Sequence, residues 1–215
     1  MVRLYRITET ASPLNVPVRY NVAPTQDVPA VRPAKAGGRE LAMLRWGLIP
    51  AWAKDEDIGA RLINARGETA AELPSFRAAF RRRRCLVAAD GFYEWRKAGK
   101  GPKQPFLVEL ADGRPFAFAG LWERWDKAPD GRPLETCTII TTRANELLAP
   151  IHDRMPVILP PADYDAWLDV EGTGVEAAKA LLRPYPAAAM AAHPVSPRVN
   201  NARNDDAACL ARLPG

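Results

Sequence analysis

The residues best suited to chemistry lie in short, separate clusters. His152 stands in Ile151-His152-Asp153-Arg154-Met155-Pro156, and an imidazole titrates near neutrality, so it can trade protons with a sugar oxygen. Its neighbours Asp153 and Arg154 also fit a local surface ion pair of small energetic worth. Glu94 ends a strand-like run in Asp90-Gly91-Phe92-Tyr93-Glu94-Trp95, where aromatic neighbours would partly desolvate it and raise its pKa toward acid–base use. A surface glutamate beside core aromatics is the plainer alternative. In Asn64-Ala65-Arg66-Gly67-Glu68, three polar residues at alternate positions share one face if the segment is extended. A turn asparagine followed by a solvated Arg–Glu pair fits equally well.

Other clusters suit binding. Trp46-Gly47-Leu48-Ile49-Pro50-Ala51-Trp52 sets two indoles around a tight turn; such faces stack the bases of a single strand, and they also fill cores. Arg81-Arg82-Arg83-Arg84 reads as a phosphate-binding patch or as a solvated helix end. The three cysteines, Cys85, Cys137 and Cys209, are scattered and odd in number, which argues against a disulfide framework and a zinc site. With His152 and His193 the only imidazoles, a transition-metal site is not expected. Cys85, within the strand-like Cys85-Leu86-Val87, reads as a buried and inert thiol.

These clusters must be positioned by a chain of 215 residues, enough for one substantial core and short for two. Hydrophobic content of 47% and charged content of 26% are ordinary for a globular protein. The longest apolar runs are far too short to span a bilayer. No apolar signal segment follows Met1-Val2-Arg3-Leu4-Tyr5-Arg6, so a cytoplasmic protein is the default expectation. The net charge of +5, with arginine outnumbering lysine roughly three to one, suits bidentate phosphate contacts; a GC-rich genome would produce the same bias.

Strand-like runs cover Leu41–Leu48, Leu86–Glu94, Phe106–Leu110, Phe116–Trp122 and Thr136–Thr141. Ala111-Asp112-Gly113-Arg114 reads as a hairpin turn between two of them, and Pro129-Asp130-Gly131 as another. Pro74–Arg83, Pro161–Leu168 and Val175–Leu182 read as short helices, and Asn204-Asp205-Asp206 as the cap of a final turn. Consecutive hairpin-linked strands predict an α+β fold in a single domain over 1–215.

Taken in order, the clusters closely resemble the SRAP family, the SOS-response-associated peptidases or abasic-site processing proteins. Tyr20-Asn21-Val22-Ala23-Pro24-Thr25-Gln26, Trp46-Gly47-Leu48-Ile49-Pro50, Asn64-Ala65-Arg66-Gly67-Glu68, Phe76-Arg77, Asp90 to Trp95, His152 to Pro156 and Arg203-Asn204-Asp205 carry the resemblance. It implies a barrel-like, bifurcated mixed β-sheet flanked by short helices. It also implies a monomer that uses no cofactor, no metal and no membrane, and that binds single-stranded or junction DNA containing abasic sites. In the family, Met1 is removed and the exposed Cys at position 2 captures the open-chain sugar aldehyde, its amine forming a Schiff base and its thiol closing a thiazolidine. By that resemblance Asn64 would orient the N-terminal residue and the sugar, Glu94 would relay protons and His152 would assist ring opening. Arg66 and Arg154 would hold phosphates, Trp46 would wedge or stack at the missing base, and Pro50, Arg77 and Asn21 would belong to the DNA-binding surface.

The chain departs from the family at one decisive position, because residue 2 is Val2. Valine offers an α-amine and no thiol, so a Schiff base of lyase type can form and a thiazolidine cannot. A pseudoenzyme that binds without reacting, and a thiol-dependent peptidase, are the alternative readings.

Overall fold

The computed structural model describes residues 2–10, 16–97, 99 and 101–213, with the backbone alone at Val2, Glu9 and Thr10. The strands are β1 (Glu9–Thr10), β2 (Asp27–Pro33), β3 (Arg39–Trp46), β4 (Asn64–Arg66), β5 (Arg84–Ala89), β6 (Gly91–Arg96), β7 (Gln104–Leu110), β8 (Phe116–Trp125), β9 (Leu134–Arg143), β10 (Arg154–Pro156), β11 (Ile158–Leu159) and β12 (Met190–Pro194). The α-helices are short: α1 (Val2–Tyr5), α2 (Arg77–Arg82), α3 (Tyr164–Leu168) and α4 (Val175–Ala180).

A closed ring runs β3–β2–β5–β8–β9 and returns to β3 through a parallel pairing of Arg45 with Thr136 and Trp46 with Cys137. Closure removes free edges that would otherwise template aggregation. The alternation of side chains along each strand then sorts the core. Ala30, Leu44, Val87 and Cys137 belong to one buried cluster, and Val31, Leu86, Ala119 and Ile140 to another that the helices cover. Space in the first cluster is tight: a Cβ on Gly120 would sit 2.9 Å from both Cys85 Sγ and Val87 Cγ2. Phe76, which precedes α2, and Phe80 within it are a buried i, i+4 pair, and Phe80 meets Trp167 edge-on at 5.9 Å. Each such ring stabilises the fold by about 1.5–3 kcal/mol.

β9 is where the sheet bifurcates. One of its edges pairs with β8. The other is shared end to end by β3 at Thr136–Cys137 and by β4 at residues 139–141, while β10 takes over the β8 edge at residues 141–143, so that Thr141 pairs with Arg66 on one side and Pro156 on the other. A second sheet of three antiparallel strands runs β12–β7–β6.

The architecture agrees with the expected α+β fold and barrel-like sheet, with three corrections. Leu86–Glu94, read as one run, is two strands in two sheets, because the chain turns at the exposed Asp90. Residues 111–114 do turn tightly, with Arg114 N–H donating to Asp112 Oδ1 at 3.1 Å. Yet β7 and β8 lie in different sheets, so this turn is a crossing and not a hairpin. Finally, the four arginines at 81–84 do not form one patch. Arg81 and Arg82 are exposed, Arg83 pairs with Glu123, and Arg84 is buried, donating to the carbonyls of Asp169 and Thr173 at 2.6 and 3.0 Å. The 129–131 turn does join the β8–β9 hairpin, and Asp206 caps the final turn by accepting from Ala208 N–H.

Candidate functional site

Between the β4–β9–β10 rim and the three-stranded sheet lies a cleft of about 1640 Å³, walled at one side by the segment around Val199 and Asn200. Asn21, Trp46, Asn64, Arg66, Glu94, His152 and Arg154, distant in sequence, all line it. Pro50 and Arg77 do not: Pro50 is buried beyond the Trp46 turn, and Arg77 is exposed at the start of α2. Val2 opens α1, and its side chain is outside the described residues, as is Met1. Tyr5 reaches the cleft, held by its hydroxyl donating to Phe116 O at 2.5 Å and its carbonyl accepting from Arg39 Nη1 at 2.7 Å. At ~1.5 Å rise per residue, the backbone of Val2 lies about one helical turn, ~4.5 Å along the axis, from that anchor.

Asn64 and Arg66 are presented by β4, which zips in parallel onto β9 with Asn64 opposite Ile139 and Arg66 opposite Thr141. Ala65 is buried on the opposite face, so the extended reading of this motif holds for Asn64 and Arg66. Glu68 does not join them in a local pair. Past Gly67 the chain turns, and the Glu68 carboxylate meets Arg154, with Nη1 donating to Oε1 at 3.2 Å and Nη2 to Oε2 at 2.8 Å. This fork holds the Glu68 carboxyl below the usual carboxylate range. Arg154 also donates from Nε to Thr141 Oγ1 at 3.1 Å and from Nη2 to Thr141 O at 2.7 Å. Its guanidinium is thus engaged by protein, which disfavours the phosphate contact expected of it.

His152 follows a turn closed by its own N–H on Leu148 O at 2.9 Å, and its side chain is 43% exposed. Its Nδ1 accepts the backbone N–H of Arg154 at 3.1 Å and also lies 3.0 Å from Asp153 Oδ1. The ion pair read between Asp153 and Arg154 is therefore absent; each residue faces a different partner. Glu94 arrives from the second sheet, in mid-strand on β6 opposite Phe106, half-buried, with Oε1 accepting Trp95 N–H at 3.0 Å.

The third wall is built by contacts that the sequence reading missed. Asn21 is buried, and its Nδ2 lies within hydrogen-bond reach of the carbonyls of Val199, Asn201 and Asn204 at 3.1, 3.3 and 3.0 Å. Asp205 Oδ1 accepts the N–H groups of Tyr20 and Asn21 at 2.6 and 2.9 Å, and Oδ2 pairs with Arg19. These bonds, with Arg19 contributing a charge, keep the Asp205 carboxyl below its usual range although burial opposes them. Tyr93 donates to Tyr20 O at 2.7 Å, and Trp95 Nε1 to Asn200 Oδ1 at 2.8 Å. Burial pushes the Tyr93 phenol up, so it stays neutral. Asn21 thus fastens the end of the chain to the cleft, with its amide facing carbonyls and not solvent.

Among the cleft-lining cations Arg19, Arg66, Lys103 and Arg154, only Arg66 and Lys103 have no carboxylate partner among the described residues. They are the groups best placed to meet a polyanion. Trp46 forms part of the wall, its Nε1 donating to Ile63 O at 2.8 Å. Gly47 holds the turn that aims it, at φ +130°, where a Cβ would be 2.7 Å from Gly59 O. The cysteines are all buried, and burial pushes the Cys85 thiol up to about 12. Among the described residues no three His, Cys, Asp or Glu side chains converge as metal ligands, and no helix is long and apolar enough to cross a membrane.

Comparison with known proteins bears on the fold and the family. The profile of the SRAP family, SOS response associated peptidase, matches residues 2–202. The abasic site processing protein YoqW of Bacillus subtilis (strain 168) is 48% identical over 186 residues, covering 86% of this chain and 82% of that protein. The abasic site processing protein HMCES of Gallus gallus is 34% identical over 221 residues, covering 89% of this chain and 65% of its own length. A crystal structure of a Bacteroides thetaiotaomicron protein superimposes with a TM-score of 0.79 at 30% identity, over 88% of this chain and 82% of that one. The chain belongs to the SOS response associated peptidase (SRAP) family.

Proposed function

We propose that this protein binds single-stranded or junction DNA at an abasic site and attacks the sugar aldehyde with the α-amine of Val2 once Met1 is removed. The observation that carries the reading is the convergence of Asn64, Glu94 and His152 on one cleft that Tyr5, three residues after Val2, also lines. An α-amine titrates near ~7.7–8.0, so a useful fraction is neutral and nucleophilic at cellular pH. It adds to the aldehyde and water leaves, giving a Schiff base; loss of a proton from the adjacent carbon then expels the 3′ phosphate. His152 gives a proton to the sugar oxygen as the ring opens, Glu94 relays protons at the amine, and Asn64 orients the sugar. Arg66 and Lys103 hold phosphates, and the Trp46 face packs where the base is missing. Valine supplies no thiol, so capture is reversible and no thiazolidine forms.

The relatives named abasic site processing proteins support abasic-site processing. The buried thiols give no support to thiol-dependent proteolysis. A binder that shields the lesion without reacting is favoured by one fact, the valine at position 2. Borohydride trapping on single-stranded abasic DNA, using protein whose first residue is verified as Val2 by mass, separates the two. A trapped adduct on the N-terminal peptide is expected, and binding with no adduct assigns the shielding role.

A further inference from the structure

The Nδ1 atom of His152 faces two partners that require opposite protonation states. Arg154 N–H, at 3.1 Å, is a donor and needs the nitrogen lone pair; Asp153 Oδ1, at 3.0 Å, is an acceptor and needs a proton there. The other charged groups that line the cleft with this ring include Arg154, clamped on Glu68 and Thr141, Arg66 on β4 and Glu94 on β6. Asp153 is highly exposed, with 88% of its side chain accessible, and takes part in no other ion pair among the described residues.

We propose that Asp153 is a positioning residue that makes His152 a reversible proton donor. The inference rests on the abasic-site reading above. In the imidazolium form, Nδ1–H binds Asp153 and Nε2–H points to the ring oxygen of the cyclic sugar. As the bond between C1′ and that oxygen breaks, the oxygen takes the Nε2 proton and the C1′ hydroxyl gives its proton to Glu94, leaving the open aldehyde. His152 is then neutral with its remaining proton on Nδ1. Asp153 can hold that tautomer, whereas the amide of Arg154, itself a donor, can hold only the Nε2–H tautomer. The two contacts are thus the two ends of one proton switch, and without the carboxylate the ring is confined to one end.

The test uses Asp153→Ala and Asp153→Asn, both at an exposed position. Nitrogen-15 spectra of the ring, taken with His193→Gln so that one imidazole remains, should show Nδ1–H population in the parent and its loss in Asp153→Ala. Single-turnover strand cleavage at saturating abasic DNA should fall about tenfold or more in Asp153→Ala. Binding should stay within about twofold, with partial rescue in Asp153→Asn, whose Oδ1 still accepts. A surface aspartate would instead leave the rate unchanged and slightly tighten binding on removal. A ring spectrum unaltered by Asp153→Ala overturns the proposal. Because the spectrum needs no turnover, it decides the matter even if the parent protein fails to cleave, an outcome that would count against the lyase reading alone.

Discussion

Arg154 grips Glu68 with a two-pronged fork, 3.2 and 2.8 Å, and with the same guanidinium reaches Thr141 on β9. The fork ties the end of the motif that carries Asn64 and Arg66 to the start of the strand that follows His152. Two groups of the cleft are thereby braced against each other. The pair is part-exposed, with Glu68 at 54%, so its contribution to stability is about 0.2–1 kcal/mol.

That brace has a definite pH signature. The folded-state pKa of Glu68 lies below its unfolded value, so the stabilisation is complete above ~4.3 and is lost as pH falls through the lower folded value. Asp205 behaves in the same sense. In urea melts from pH 7 to pH 3, Glu68→Gln should cost little more than the brace at neutral pH, and its difference from the parent should vanish at the acid end. A difference that grows toward low pH would contradict the linkage.

Val2→Cys should convert reversible capture into a permanent bond. With Met1 removed, the thiol can close a ring on the imine carbon, so an adduct that survives heating without borohydride is expected on abasic single-stranded DNA. The parent should give such an adduct only after reduction. Denaturing gels with intact mass measurement read both outcomes, and no stable adduct from Val2→Cys would mean that residue 2 does not reach the aldehyde.

Arg66→Ala should weaken DNA binding about equally for all sequences and reduce the slope of log affinity against log salt by about 1. Arg77→Ala, outside the cleft, should leave the slope unchanged. Fluorescence anisotropy across a salt series makes the comparison.

Asn21→Ala should act on stability and not directly on DNA. Removing the amide takes away the two N–H donors that the carbonyls of Val199, Asn201 and Asn204 share, at a cost of about 1–3 kcal/mol. Thermal melts should show the loss, while affinity measured well below the transition should hardly move. A large affinity loss in fully folded protein would return Asn21 to the binding surface.

Several of these relations were open to the sequence and others were closed to it. The strands β3, β7, β8 and β9 were legible because β-branched and aromatic residues alternate between turn residues. β2 was not, since Pro29 and Pro33 interrupt its pattern and prolines suggest an edge or a loop. It pairs on both sides all the same, with β3 and β5. The polar clusters pointed to the cleft because Asn64, Glu94 and His152 are unusual residues beside apolar strands. Their partners gave no such signal. Arg154 with Glu68, 86 positions apart, and Asn21 with Asn204, 183 apart, meet only through the barrel topology. Neither local spacing nor composition encodes such pairings. Lys103 was overlooked for the opposite reason: an isolated lysine before a strand is commonplace until a cleft is seen beside it.

The doubly paired end of β9 has a further consequence. Asn64 and Arg66 are indexed along one of its edges and the strand following His152 along the other, all within residues 139–143, while Glu94 stands on a separate sheet. One jaw of the cleft therefore behaves as a ruler, on which the spacing between the Asn64 amide and the Arg66 guanidinium is graduated by the ~3.3 Å strand repeat. The other jaw is seated on the barrel separately, by Phe92 packing against Phe118 with ring centroids 5.7 Å apart. The distance from Glu94 to the groups on the ruler is therefore set by side-chain packing and not by the hydrogen-bond register of β9.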